Sequence, residues 1–243
     1  MNTLSAQRPL MAHLVLGYPD MAASLATAAE YVRAGCAILE LQIPFSHPTA
    51  DGPVITHACQ QAVQGGRATV DDCLDAIQTL RNQFPDQEII VMTYLNRAFT
   101  YGVAPLAARL NALSVTQAII PDLPADSLLA NEFRKAGLNM VPVIAANVPE
   151  ARLHRLLKLP FDFIYLMSDF KITGSAFSLH PRLEKVLQTI KTERPDVRTG
   201  IGFGISTREQ VALVTSVANY AILGSSLLKA QEEGHLADYI GGL

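Results

Sequence analysis

Glu40 and Asp51 stand eleven residues apart in Cys36-Ala-Ile-Leu-Glu-Leu-Gln-Ile-Pro-Phe-Ser-His-Pro-Thr-Ala-Asp-Gly-Pro53, the first inside an apolar run and the second in the Pro- and Gly-rich stretch after it. A carboxylate among Ile38, Leu39, Leu41 and Ile43 is costly to keep ionised and unpaired, so it needs a partner, a proton or a task. Two carboxylates in unlike surroundings, one buried and one loop-borne, can divide acid and base work because burial drives their proton affinities apart. Each also has a plainer explanation. Glu40 reads equally as a structural carboxylate satisfied by a neighbouring Ser or Tyr, and Asp51 as a turn residue capping the next helix. The connection from Ile43 to Pro53 is long for a strand-to-helix loop, which favours a binding or lid element.

Two glycine turns, Gly200-Ile-Gly-Phe-Gly-Ile-Ser-Thr207 and Leu223-Gly-Ser-Ser226, add a second kind of chemistry. Glycine lets backbone approach a ligand closely, and N–H groups at a helix start attract an anion such as phosphate, although tight turns need glycine in any case. A third segment, Tyr165-Leu-Met-Ser-Asp-Phe-Lys-Ile-Thr-Gly174, reads as a flexible polar loop able to close over a ligand, or as plain surface. Other chemistries find little support. The six histidines show no H-E-x-x-H or comparable metal-ligand spacing, Ser46, Ser168 and Ser225 lack a G-x-S-x-G elbow, and Gly204 belongs to no dinucleotide fingerprint.

The elements that must position these residues alternate along the chain. Strand-like runs fall at His13–Gly17, Ala37–Ile43, Glu88–Tyr94, Gln117–Pro121, Asn139–Ile144, Asp162–Met167, Val197–Phe203 and Tyr220–Leu223. Helical periodicity appears between them, at Ala22–Ala34, Val54–Gln64, Val70–Asn82, Pro105–Leu113, Ser127–Ala136, Pro149–Leu157, Pro181–Lys191 and Thr207–Val214. Eight such repeats in 243 residues predict a single (β/α)8 barrel over residues 1–243, with an open doubly wound sheet as the alternative. The short segments before the first strand and after Lys229 predict thin barrel closures. In the second strand Glu40 and Gln42 share a face with Ile38, while Leu39, Leu41 and Ile43 take the other. If the wholly apolar set packs on helices, Glu40 faces the barrel interior. The glycine turns then sit at the tips of strands seven and eight, where barrels commonly bind phosphate.

Composition sets the outer limits. Hydrophobic residues make up 49% and charged residues 17%, with a net charge of −3, which fits a globular enzyme and offers no basic field for nucleic acid. Cys36, Cys59 and Cys73 form no C-x-x-C pair, so a reducing, cytoplasmic setting is expected. No signal-peptide pattern opens the chain, and no run of about 18 apolar residues suggests membrane insertion.

Taken together, Leu16-Gly-Tyr-Pro19, Leu39 to Pro53, Met92-Thr-Tyr-Leu-Asn96 with Tyr101-Gly102, Pro121-Asp-Leu-Pro124, Tyr165-Leu-Met-Ser168 with Thr173-Gly174, Gly202-Phe-Gly-Ile-Ser-Thr207 and Gly224-Ser225 resemble the α subunit of tryptophan synthase. The resemblance implies a (β/α)8 barrel that cleaves indole-3-glycerol phosphate to indole and glyceraldehyde 3-phosphate by retro-aldol chemistry, without metal or organic cofactor. It implies Glu40 as acid/base and Asp51 as acceptor for the indole N–H. Tyr165 would be an active-site tyrosine, Phe203 would lie beside the indole, and Gly174, Gly204, Gly224 and Ser225 would cradle the phosphate, with Thr173 adjoining them. The partner implied is a tryptophan synthase β subunit in an α2β2 complex. A stand-alone indole-glycerol-phosphate lyase, or a weakly catalytic paralogue acting as a binding or activating partner, are the alternatives. The chain departs from the family pattern at Gln42 (usually Gly), at His47 (usually Asp), at Arg97 (commonly Pro) and at Asp169-Phe170-Lys171. Gln42 is expected to narrow the pocket or to hydrogen-bond the catalytic carboxylate.

Overall fold

The computed structural model describes residues 7–167, 170–173, 176–202 and 204–243, with residues 170–173, 176 and 177 described through their backbone. Parallel strands β1 (Arg8–Val15), β2 (Cys36–Gln42), β3 (Glu88–Met92), β4 (Gln117–Ile119), β5 (Asn139–Met140), β6 (Val143–Ile144), β7 (Phe163–Met167), β10 (Arg198–Gly202) and β11 (Tyr220–Leu223) form one sheet in the order β5-β4-β3-β2-β1-β11-β10-β7-β6. Its two ends, β5 and β6, are consecutive in the chain and separated only by Val141-Pro142. They are the halves of the run expected at Asn139–Ile144. Proline has no N–H to offer a ladder, so the strand breaks there, pairing first with β4 and then with β7. The ring closes through that segment, and the fold is the expected eight-stranded (β/α) barrel.

Helices alternate with the strands: α1 (Met21–Arg33), α2 (Pro53–Val63), α3 (Val70–Gln83), α4 (Leu95–Tyr101), α5 (Val103–Ala112), α6 (Leu128–Lys135), α7 (Glu150–Leu156), α8 (Pro181–Glu193), α9 (Arg208–Val217), α10 (Ser225–Glu232) and α11 (Leu236–Gly242). Their starts follow capping chemistry. Thr69 and Thr207 close capping boxes with Asp72 and Gln210, and Ser127 accepts from the Ala130 N–H.

Leu39, Leu41 and Ile43 pack in the layer between sheet and helices, while Ile38 joins Met11, Ile90, Met92, Phe163 and Ile222 inside the barrel. The parity assigned to strand two is therefore correct, and Glu40 and Gln42 face inward.

Four sequence expectations need correction. β1 starts at Arg8, not His13, its first N–H bonding Gly35 O at 2.7 Å; Pro9 disguised a run that a strand's beginning tolerates. The segment after β7 holds an antiparallel hairpin, β8 (Phe170–Thr173) with β9 (Ala176–Leu179), where a flexible loop was expected. α4 precedes α5, with Gly102 at φ +103 marking the break between them. Beyond β11 the chain adds α10 and α11, so the closure there is thicker than expected.

Candidate active site

Parallel pairing sets His13 of β1 directly beside Glu40 of β2, and Val15 beside Gln42. Glu40 is 3% exposed, Gln42 fully buried and His13 7% exposed. His13 Nδ1 stands 3.3 Å from Glu40 Oε2. This is ion-pair distance, yet Oε2 makes no hydrogen bond among the described residues. On the other ring edge, His13 Nε2 is 2.9 Å from Gln42 Oε1, and Gln42 Nε2 donates to Asp51 Oδ2 at 2.8 Å. Tyr94 donates its hydroxyl to the same Asp51 oxygen at 2.8 Å and accepts the Ala50 N–H at 3.0 Å. One polar chain thus runs Glu40, His13, Gln42, Asp51, Tyr94 through the barrel mouth.

The plainer explanation of Asp51 fails here. The cap of α2 is Gly52, with no side-chain cap bond, and the Asp51 carboxylate turns instead to Gln42 and Tyr94. Gln42 does hydrogen-bond a carboxylate, as expected, but it is Asp51 and not its strand neighbour Glu40. His47 lies exposed beside Ser46 and Phe45, away from this chain.

Burial works against a charged His13, but the adjacent Glu40 carboxylate, aided by Asp51 and the Gln42 amide, more than offsets it and holds the imidazole above its ordinary pKa of 6.5. Burial first, then Glu40 and Asp51, push the Tyr165 phenol well above 10, so it is a neutral donor. Burial and the Asp51 carboxylate likewise raise Tyr94. The three cysteines are buried, and burial pushes each thiol up to about 12, which removes them as nucleophiles.

A cavity of about 200 Å³ opens at the C-terminal ends of the strands, lined by His13, Glu40, Asp51 and Tyr165 together with Gly204, Gly224 and Ser225. The glycine wall is built from two loops tied together by Ser226 Oγ donating to Ile205 O at 3.1 Å. Gly224 precedes α10 without a side-chain cap and no acid occupies its first turn, so the N–H groups there stay open to an anion. Gly204 has φ +75, a conformation that favours glycine. Gly174 and Phe203 lie outside the described residues, as does the Thr173 side chain; Thr173 itself pairs with Ala176 in the hairpin.

Sequence reasoning missed His13, Tyr94 and Gly202. A Cβ on Gly202 would come 2.7 Å from Tyr165 Cζ and closer to its hydroxyl. Gly202→Ala should therefore displace Tyr165 and destabilise the fold by about 1–3 kcal/mol. Urea unfolding combined with ligand titration checks this, and an unaltered midpoint would refute the packing argument.

A closed β/α barrel with two carboxylates and an uncapped, glycine-led helix start lining one cavity at its C-terminal mouth defines a barrel enzyme. The family profile "Tryptophan synthase alpha chain" matches residues 3–239. A tryptophan synthase alpha chain of Syntrophotalea carbinolica is 36% identical over 228 residues, covering 93% of this chain and 88% of that one. The alpha chain of Roseiflexus castenholzii is 34% identical over 237 residues, covering 95% and 88%. Mycobacterium tuberculosis tryptophan synthase superposes with a TM-score of 0.83 at 30% identity, covering 100% of this chain and 92% of that one. The chain belongs to the tryptophan synthase alpha chain family.

Proposed function

We propose that this chain is a carbon–carbon lyase that cleaves indole-3-glycerol phosphate to indole and glyceraldehyde 3-phosphate. The observation that carries the reading is the single cavity lined by Glu40 and Asp51 together with Gly204, Gly224 and Ser225. The phosphate binds the α10 N-terminus and the adjoining glycines, and this remote anchoring holds the reacting bond in place. Glu40 takes the proton from the hydroxyl on the carbon attached to the ring and delivers a proton to indole C3. As that hydroxyl becomes a carbonyl, the bond between C3 and the side-chain carbon breaks and its electron pair returns to the ring. Asp51 accepts the indole N–H and stabilises the positive charge that develops on the protonated ring, while Tyr165 serves as a neutral donor beside them.

Indole release from indole-3-glycerol phosphate tests the assignment of Asp51. Asp51→Asn keeps the side-chain volume but removes the charge, and should lower kcat/KM by about 10²-fold. An unchanged value would refute this role.

A β subunit is the proposed macromolecular partner. Phe99 on α4 and Leu128 at the start of α6 are 62% and 89% exposed. Both follow strand C-terminal ends, β3 and β4, so they flank the mouth of the site, and exposed large apolar side chains near a functional opening suit a docking face. Among the described residues no helix is long and apolar enough to cross a membrane, and the reaction proposed belongs in the cytoplasm. Co-elution with a tryptophan synthase β subunit, lost in Phe99→Glu, checks the partner; co-elution unaffected by that change would place the interface elsewhere.

A further inference from the structure

The hydrogen-bond chain fixes more than position. Asp51 is an acceptor through its carboxylate, so the Gln42 atom facing it at 2.8 Å is the amide nitrogen. The Gln42 oxygen then faces His13 Nε2 at 2.9 Å, which must carry a hydrogen to donate. With Nε2–H committed, a neutral His13 would point the lone pair of Nδ1 at Glu40 Oε2, 3.3 Å away. Two acceptors cannot face each other unsatisfied in a buried site. One proton must therefore lie between them.

We propose that His13 is the positioning residue of this site: through Gln42 it is locked with Nδ1 toward Glu40, so that the working acid/base is a Glu40–His13 pair sharing one proton and not an isolated glutamate. This rests on the lyase reading above. The imidazolium keeps the buried Glu40 in its carboxylate form, ready to receive the hydroxyl proton, and Gln42 holds Asp51 by the same amide. The other titratable groups facing the pair are Asp51, from the loop between β2 and α2, and Tyr165 from β7; β11 and the turn after it present the uncharged Ile222 and Gly224. The pair therefore sets which carboxylate in the cavity serves as base.

Two readouts test this in the full chain. In a ¹⁵N-imidazole titration, the wild-type His13 midpoint should lie above the ordinary 6.5, and Glu40→Gln should lower it by about one pH unit or more. In kinetics, His13→Phe, close in volume, should raise the acid limb of the kcat profile by about one to two pH units. Its kcat would then fall about tenfold near pH 6 and approach wild type near pH 9. Gln42→Met should move that limb the same way by a smaller amount and raise KM about tenfold, because it unlocks His13 and frees Asp51 together. A His13 midpoint indifferent to Glu40→Gln, a His13→Phe loss equal at every pH, or a Gln42→Met enzyme with an unmoved acid limb would each overturn the proposal. A wild type inert toward indole-3-glycerol phosphate, but with the coupled titration intact, would overturn the lyase reading and leave the proton-sharing pair standing.

Discussion

Glu40→Gln should reduce kcat for indole release by about 10²–10⁴-fold while changing KM by no more than a few-fold. The asymmetry follows from where the carboxylate sits. Phosphate anchoring is assigned to Gly204, Gly224 and Ser225, and the indole N–H to Asp51, all in the lining of the same cavity, so a glutamine at position 40 leaves ground-state binding largely in place. What it removes is the only proposed group able both to take the hydroxyl proton and to return one to C3, and an amide does neither at neutral pH. The substitution is nearly isosteric, which keeps the barrel mouth packed. It also takes the charged partner from the buried His13, 3.3 Å away, so the kinetics are to be read on protein shown to be folded. Single-turnover measurements would separate the chemical step from product release. A Glu40→Gln enzyme within about threefold of wild type in that step would exclude Glu40 as the acid/base.

Much of this site could be read from residue types and parity, and the rest failed for identifiable reasons. Alternation of Leu39, Leu41 and Ile43 against Ile38, Glu40 and Gln42 is a local property of one strand, so the inward face was legible without any partner. Positions of Gly204, Gly224 and Ser225 followed from their places at strand tips once eight strands were counted. His13 was not legible, because its role depends on inter-strand register: only the pairing of His13 with Glu40 turns an apolar-run histidine into a neighbour of the acid. The same holds for Asp51, whose carboxylate is directed by Tyr94, 43 residues away in the chain. Its local sequence, Ala-Asp-Gly-Pro, signalled a turn and nothing of that contact. The hairpin formed by β8 and β9 did carry a local signal, a Gly-Ser pair between two short runs, but a polar stretch between strand and helix suggested a loop more strongly.

At the opposite end of the barrel, Arg198→Met should lower stability by about 2 kcal/mol, or Tm by about 4–8 °C, and leave kcat unchanged. Arg198 opens β10 and grips Glu88, the first residue of β3, with Nη1–Oε2 and Nη2–Oε1 both at 2.7 Å. Its guanidinium also lies 5.7 Å from the ring centre of Phe163 and 6.0 Å from that of Tyr220, the first residues of β7 and β11. Four strand starts are therefore drawn together under the interior core by one side chain. The two partners are 29% and 33% exposed, whereas Arg109 with Asp71 and Asp75 is 45% exposed against 63% and 76%. Solvent screens the latter pairs, which should contribute about 0.5 kcal/mol. The Arg198–Glu88 fork is bidentate and largely withdrawn from water, and breaking it leaves a part-buried carboxylate without its partner. A double-mutant cycle with Glu88→Gln, read from urea midpoints at constant slope, should give a coupling of about 1–2 kcal/mol. Because the fork lies at the N-terminal ends of the strands, remote from Glu40 and Asp51, its loss should leave catalysis intact in the molecules that remain folded. A coupling below about 0.5 kcal/mol would reduce the fork to an ordinary surface pair, and a matching fall in kcat would mean that the bottom of this barrel helps to shape its mouth.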